Sequence, residues 1–154
     1  MEIKVQYELI KSSRRVLLDY CRTFAVDDFT KVDVTFGFGS IRNLLVHVAN
    51  TYEWWIGAQG LGDHKPFTPY DAISTVDQLE ILFVTVDQLV EDFCLKYHND
   101  LTCEIPVSLR KQSFNSTPLE LFTHVITHEF HHKGQVLTLS RHLGYTPVDT
   151  DIIR

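Results

Sequence analysis

The fold is decided by one stretch near the end of the chain, residues 117–144, which reads TPLELFTHVITHEFHHKGQVLTLSRHLG. Thr117 is a typical helix N-cap, Pro118 suits the first helical position, and Glu120 completes a capping box three residues after the cap. Gly144 is typical of the residue just beyond a helix C-terminus. The pattern therefore predicts a long helix that occupies this stretch.

Two helices are predicted in the first half of the chain. Residues 2–24 carry apolar side chains at steps that keep one face of a 3.6-residue helix toward a core. Ser40 is a candidate N-cap for a second helix with a similar apolar stripe. We expect the glycines at positions 57 and 60 to end that helix.

A third helix is predicted to begin at the capping-box pattern of Ser74 and Asp77. Residues 101–109 alternate apolar and polar side chains, which predicts a short edge strand or hairpin before the last helix despite Pro106. The sequence thus predicts an all-α four-helix bundle with long connecting loops, as a single domain over residues 1–154. A three-helix bundle with one extra packed helix is the nearest alternative.

Charge and cysteine usage narrow the range of partners and compartments. The 154 residues include 14 basic and 20 acidic side chains, a formal net charge of −6. Nucleic acids and anionic membranes attract clustered Lys and Arg, so we expect neither as a partner. The N-terminus lacks the apolar core of a secretory signal, no stretch reaches membrane-span length, and the three cysteines form no C-x-x-C pair. These features predict a cytoplasmic protein.

Histidine is the unusual residue in this composition, because five of the eight histidines lie in the last third of the chain. On a helical wheel, His128 and His132 lie in the middle of the core-facing stripe, close to Leu121 and Leu139. Buried imidazoles need partners, since an unpaired polar group costs about 1–3 kcal/mol. The i, i+4 spacing allows both rings to bind one metal ion. Two core histidines that are hydrogen-bonded to their neighbours are the alternative.

His47 is the best candidate for a third ligand. It lies beside the apolar face of the second helix, one turn from Leu44, and can project into the interior of a bundle. Three histidine ligands would leave coordination positions open to water or substrate, as catalytic metal sites do. A lone histidine at a helix edge is more commonly a structural residue, so the residue pattern alone leaves both interpretations open.

Residues 128–132 also spell H-E-x-x-H, the zinc-peptidase signature in which the glutamate acts as general base. The extended signature fails, because Gln135 and Thr138 occupy the positions of its glycine and third histidine. No glutamate follows Glu129, which excludes a downstream Glu ligand. A metal-dependent hydrolase with Glu129 as the base is therefore the weaker hypothesis.

Neighbouring side chains are candidates for supporting roles. Glu129 and His131 are weak candidates for a catalytic proton transfer. His124, one helical turn before the predicted ligand pair, is a candidate to orient a ligand through its free ring nitrogen. Trp54 and Trp55 are candidates to line the mouth of a pocket, with plain core packing as the alternative.

Three runs of the sequence match a known pattern: SIRNLLVH at residues 40–47, EWW at 53–55 and LFTHVITHEFHHKGQ at 121–135. Together they resemble the DinB/YfiT-like superfamily of metalloenzymes, in helix order and over essentially the whole chain. The resemblance implies an up-down-down-up four-helix bundle with a long crossover between the second and third helices. It also implies a divalent metal ion held by three histidines, which here are His47, His128 and His132.

The resemblance further implies a class of chemistry. Family members with a known reaction use the metal to activate a low-molecular-weight thiol, such as bacillithiol or mycothiol, for transfer to an electrophile or for isomerisation. By this resemblance we expect Zn²⁺, with Ni, Fe or Mn as alternatives, a thiol co-substrate and a small electrophilic substrate. Because helical bundles often pair through exposed helix faces, we also expect a homodimer. A metal-binding bundle without catalysis is the remaining alternative. Glu129 is not part of the family pattern, so its match to the peptidase signature is interpreted as accidental.

Overall fold

Four α-helices, a π-helix that continues the second of them, a short 3-10 helix (Tyr70–Ala72) and a hairpin make up the regular structure of the described residues. The computed structural model describes residues 2–154, with side chains from residue 3 onward. The helices are α1 (Glu2–Cys21), α2 (Ile41–Tyr52), α3 (Val76–Lys96) and α4 (Pro118–His142), and the antiparallel hairpin before α4 consists of β1 (Ile105–Leu109) and β2 (Gln112–Ser116). The structure is thus mostly helical, with a small hairpin where the sequence predicts a strand or hairpin.

The ends of α2 and α4 follow from local side-chain chemistry. The Ser40 side chain accepts a hydrogen bond from the backbone N–H of Asn43, and Thr117 forms a reciprocal capping box with Glu120. Each cap satisfies backbone donors that the first turn of a helix leaves unpaired. Gly144 follows α4 with a left-handed φ of +93°. These three predicted boundaries are confirmed.

The predicted starts and ends of two other helices need correction. The cap of α3 is Thr75 rather than Ser74, and Gln78 rather than Asp77 completes the capping box. The amide oxygen of Gln78 accepts hydrogen bonds from the backbone N–H groups of both Ser74 and Thr75, which a shorter Asp side chain one residue earlier does not do. The helix α1 ends at Cys21, three residues before the predicted end.

The predicted end of the second helix is wrong. After Tyr52 the chain continues as a nine-residue π-helix, Glu53–Leu61, which is called the π segment below. Gly62 follows its last residue as the C-cap, with a left-handed φ of +79°. A Cβ added at Gly60 would lie 2.6 Å from Cε2 of Phe93. The glycines at 57 and 60 are therefore packing residues that let the π segment approach α3 closely.

The hairpin begins later than the predicted strand, at Ile105 rather than at residue 101. Its turn consists of Arg110 and Lys111, whose φ angles of +51° and +67° are both left-handed. A two-residue turn with both φ angles positive matches the right-handed twist of the strands it joins. Val107 on β1 is buried, and it attaches the hairpin to the helical core.

The apolar core lies between the helices and is closed by the π segment. α2 contacts α3 and α4, α1 contacts α3 and α4, and the π segment contacts α2, α3, α4 and β1. The core contains buried apolar residues from all four helices. Within the described residues, no helix is both long and apolar enough to cross a membrane.

Candidate metal centre

Three histidines from two helices converge in the interior: His47 from α2, and His128 and His132 from α4. This set is called the triad below. Nε2 of His128 lies 3.3 Å from Nε2 of His47 and 3.2 Å from Nε2 of His132. One ligand atom from each ring lies within 4.8 Å of the other two. The structure therefore brings together the three residues that the sequence singled out.

The donor set of the triad fits a metal ion. An imidazole Nε2 carries either one hydrogen or one lone pair, so the His128 atom cannot satisfy two such contacts at once. A tetrahedral ion bound at about 2.0–2.1 Å would hold its nitrogen ligands about 3.3–3.4 Å apart. The two Nε2 separations are close to this value. A shared cation would satisfy all three nitrogens together.

Burial prepares the triad for binding a cation. It lowers the pKa of His47 to about 4 and that of His128 to about 3, and the charge of neighbouring histidines adds to both shifts. Burial also lowers the pKa of His132. The rings are therefore neutral at pH 7, which is the form in which imidazole binds a metal ion.

Two neighbours fix the orientation of the rings. Nδ1 of His132 lies 2.7 Å from Oε1 of Gln135, so Nδ1–H donates to the amide oxygen and Nε2 keeps its lone pair for the site. Phe38 stacks on the His47 ring with centroids 4.3 Å apart. The sequence alone predicts neither role. The i, i+3 spacing of His132 and Gln135 on one helix was the available signal for the first of them.

The two flanking histidines lie outside the triad. The ring of His124 is centred 5.8 Å from that of His128 and 5.1 Å from Trp55, and partial burial lowers its pKa. His131 is exposed, and its Nε2 lies 3.3 Å from Nε2 of Gln135. The role of His124 in orienting a ligand and that of His131 in proton transfer therefore stay predictions.

Glu129 is engaged in a different part of the core. Its carboxylate accepts hydrogen bonds from Nε and Nη2 of Arg14 at 3.0 and 2.9 Å, and a third from the Tyr52 hydroxyl at 2.7 Å. Burial acts to raise the pKa of Glu129, but the charge and hydrogen bonds of Arg14 outweigh it and hold that pKa below its usual value. The carboxylate that the peptidase signature would use as a base is therefore held by an ion pair in the core.

Two further charged side chains complete this buried network. Lys133, 3.4 Å from Oε1 of Glu129, donates a hydrogen bond to Ser13, and Arg14 forms a second ion pair with Asp87 at 2.7 Å. Burial lowers the pKa of Lys133 to about 8. The predictions from the sequence do not include this network. A charged Arg14 in the middle of the apolar stripe of α1 was the signal that could have revealed it.

A cavity of about 600 Å³ opens beside the triad. His47 and His128 are part of its lining. Most of the remaining lining is aromatic or apolar, contributed by Trp54, Trp55, Phe67, Tyr70 and Leu109. The prediction that the two tryptophans line a pocket is confirmed. A small molecule in this cavity would contact two of the three candidate ligands.

Comparison with known proteins gives one family. The DinB family model matches residues 1–154, the full length of the chain. The search of curated proteins found no match to the chain.

Proposed function

The chain belongs to the DinB family, and from this membership and the converging histidines we propose that it binds a divalent metal ion through His47, His128 and His132. The observation that carries the proposal is the close approach of three Nε2 atoms whose contacts cannot all be satisfied by hydrogen bonds. Three imidazole ligands and an open position are typical of catalytic zinc, so Zn²⁺ is the first choice, with Ni, Fe or Mn as alternatives.

The proposed activity is that of a metal-dependent enzyme of the thiol S-transferase type. A divalent ion lowers the pKa of a thiol or a water molecule that binds to it, which makes either one a better nucleophile at neutral pH. The resemblance to thiol-using members of the family favours a low-molecular-weight thiol as co-substrate and a small electrophile as acceptor. The cavity beside His47 and His128 is large enough for such a molecule.

The side chains around the triad have separate tasks in this proposal. Gln135 keeps the Nε2 lone pair of His132 directed at the site, and Phe38 restricts rotation of the His47 ring. The aromatic lining limits the access of water to the nucleophile. Glu129 has no part in the reaction, because Arg14 and its other donors occupy its carboxylate.

Elemental analysis of the tag-free protein, purified without a metal column and then reconstituted, tests the metal site. Wild type should retain about one ion per chain, and His47→Ala and His132→Ala should lose it. His64→Ala, which changes a histidine outside the triad, is the matched control and should behave as wild type. Equally low metal content in wild type and the triad variants would defeat the proposal.

Turnover tests the activity separately from metal binding. Reconstituted protein should accelerate the reaction of a low-molecular-weight thiol with the fluorogenic electrophile monochlorobimane, and chelated protein should not. The hydrolase hypothesis instead requires that folded Glu129→Gln keep its metal and lose all activity. A protein that binds metal but accelerates no pairing of a thiol with an electrophile would be a non-catalytic metal-binding bundle.

We also propose the up-down-down-up arrangement of the four helices. The order of the contacting residues supports parallel directions for α1 and α4 and for α2, with its π segment, and α3. It supports antiparallel directions for α1 and α3 and for α2 and α4. Arg14–Glu129 and Tyr20–Ser140 support the parallel pair α1 and α4, and Gly57–Leu89 and Gly60–Phe93 support the parallel pair α2 and α3. Lys4–Glu91 and Arg22–Asp77 support the antiparallel pair α1 and α3, and His47–His128 and Trp55–His124 support the antiparallel pair α2 and α4.

A homodimer is the proposed assembly, formed through the outer faces of α1 and α3. Val5 and Leu9 on α1 and Ile81 and Val84 on α3 are exposed, one helical turn apart within each pair. Exposed apolar side chains of this kind are the surface that a symmetric interface buries. Sedimentation equilibrium should give twice the chain mass, and a monomer at every concentration would contradict the proposal.

A further inference from the structure

The wall of the cavity beside the triad is built to hold an apolar group. Trp54 and Trp55 belong to the π segment, and Phe67 and Tyr70 belong to the connection that follows it. The rings of Trp54 and Phe67 meet edge to face with centroids 6.1 Å apart, yet Phe67 remains 53% exposed. Covering such a surface with an apolar group of similar size is favourable, because it removes apolar area from water.

Arg110 gives this apolar cavity a single fixed charge. Among the described residues of the lining, it is the only Arg, Lys, Asp or Glu. The ion pairs found between residues 3 and 154 leave its guanidinium without a carboxylate partner. A free guanidinium beside an apolar surface is a two-pronged donor that suits a planar carboxylate.

Contacts with the π segment and the core hold the backbone of the hairpin that carries Arg110. The backbone N–H of Ser108 donates to Oε1 of Gln59 on the π segment at 2.7 Å, and Val107 is buried against the core. Turns with two left-handed residues strongly favour Asn-Gly, because other side chains are strained there. This chain has Arg110 and Lys111 at those positions instead. Conformational strain at a turn that presents a cation to a cavity is typical of a binding residue.

We propose that the cavity beside the triad takes small molecules with an apolar body about the size of an aromatic ring and a carboxylate group, and that Arg110 binds the carboxylate. Arg110 is the only Arg, Lys, Asp or Glu among the described lining residues, and one guanidinium pairs with one carboxylate. The inference deepens the proposed function, on which it rests for the identification of this cavity as the substrate site.

The chain's own fluorescence provides the test. Its only two tryptophans, Trp54 and Trp55, both line the cavity, so their emission reports occupancy directly. The full-length protein is titrated with 4-phenylbutyrate and with its neutral analogue 4-phenylbutyramide, first with metal bound and then after chelation. Chelation removes the metal ion, so the carboxylate of the compound cannot bind to the ion directly. We expect the carboxylate to bind about tenfold more tightly than the amide in both states.

Variants of the turn assign the preference to one residue. Arg110→Gln should bring the two affinities to within about twofold of each other, while Arg110→Lys should keep part of the preference. Lys111→Gln removes the adjacent cation of the same turn, which is not part of the lining, and should leave the preference unchanged. A glutamine is no harder to accommodate in this turn than the residues it replaces.

The outcomes separate this inference from the proposed function. Equal affinities of the two compounds for wild type, or equal losses in Arg110→Gln and Lys111→Gln, would overturn the inference even when the triad binds metal. Absence of tryptophan quenching by both compounds would also overturn it. A carboxylate preference that depends on Arg110 in a protein that takes up no metal would sustain the role of Arg110 and defeat the metal centre alone.

Discussion

Replacing Glu129 by glutamine should lower the free energy of unfolding by about 3–5 kcal/mol and leave metal binding at the triad unchanged. The expectation follows from burial, since the side chains of Glu129, Arg14 and Lys133 are all 2–3% exposed. Glutamine has the same shape as glutamate but removes the charge. Arg14 would then keep only the partly exposed carboxylate of Asp87, and Lys133 would lose the one carboxylate it pairs with among the described residues.

Hydrogen bonding makes the change worse than a simple loss of charge. Oε1 of Glu129 faces Nε of Arg14 and Nζ of Lys133, and Oε2 faces Nη2 of Arg14 and the Tyr52 hydroxyl. An amide NH₂ group in either position would face donors where an acceptor is required. Both orientations of the glutamine therefore leave buried donors unpaired, which adds to the penalty.

Urea denaturation of the metal-free protein measures the change. With a slope of about 2 kcal/mol per molar urea, the midpoint should fall by about 2 M. Glu8→Gln, in an exposed pair with Lys11, is the matched control and should not move the midpoint. In a double-mutant cycle, Arg14→Met with Glu129→Gln should be less destabilised than the sum of the single variants, by about 1–3 kcal/mol.

Two results would refute this reasoning. A loss below about 1 kcal/mol would mean that the network contributes no more than an exposed ion pair. Loss of metal from folded Glu129→Gln would mean that the carboxylate supports the triad, in contrast to the hydrogen bonds that hold it to Arg14 and Tyr52.

Three further predictions test other parts of the structure. Gly60→Ala should destabilise the protein by about 1–3 kcal/mol, because its Cβ would lie 2.6 Å from the Phe93 ring on α3. Gly134→Ala, in open space on α4, should stabilise the protein by about 0.5–1 kcal/mol. Thermal melts that rank the two variants the other way would contradict this packing. Gln135→Ala should weaken Zn²⁺ binding about 10–100-fold in chelator competition, and a change below twofold would remove its orienting role. Burial raises the pKa of Cys21 to about 12, so almost no thiolate forms at pH 8. Peptide mapping after iodoacetamide treatment should therefore find the partly exposed Cys103 labelled well before Cys21. Equal labelling of the two cysteines in the native protein would contradict this prediction.

The parts of the fold that sequence reasoning predicted well depend on neighbouring residues. The capping box of Thr117 and Glu120 lies within four residues, and its geometry is that of any such pair. His128 and His132 share a helix face at whatever place the helix packs. The one-residue error at the start of α3 has a related origin, because Ser74 and Thr75 are both good caps and only the reach of Gln78 decides between them.

The parts that it missed depend on distant residues. Nothing local distinguishes a glycine that ends a helix from one that makes room for a partner, and only the position of Phe93 on α3 shows that Gly60 is the second kind. The partners of Glu129 are likewise 77 and 115 residues away in sequence. The place of His47 beside the apolar face of α2 makes it a candidate ligand, but only the family resemblance favoured that role over a structural one.

The alternation of histidines and charged residues on α4 couples chemistry to register. Each α4 histidine of the triad is followed directly by a member of the buried network: His128 by Glu129, and His132 by Lys133. Neighbouring side chains on a helix point about 100° apart, so a rotation of α4 that moved the imidazoles would drive these charges out of their pairs. The network and the buried apolar side chains of α4 therefore fix the rotation of the helix together, so the loss of one ion pair lowers stability without moving the imidazoles. The triad histidines of α4 are therefore replaceable by other side chains in evolution, which would point in the same direction because the rotation of the helix is unchanged.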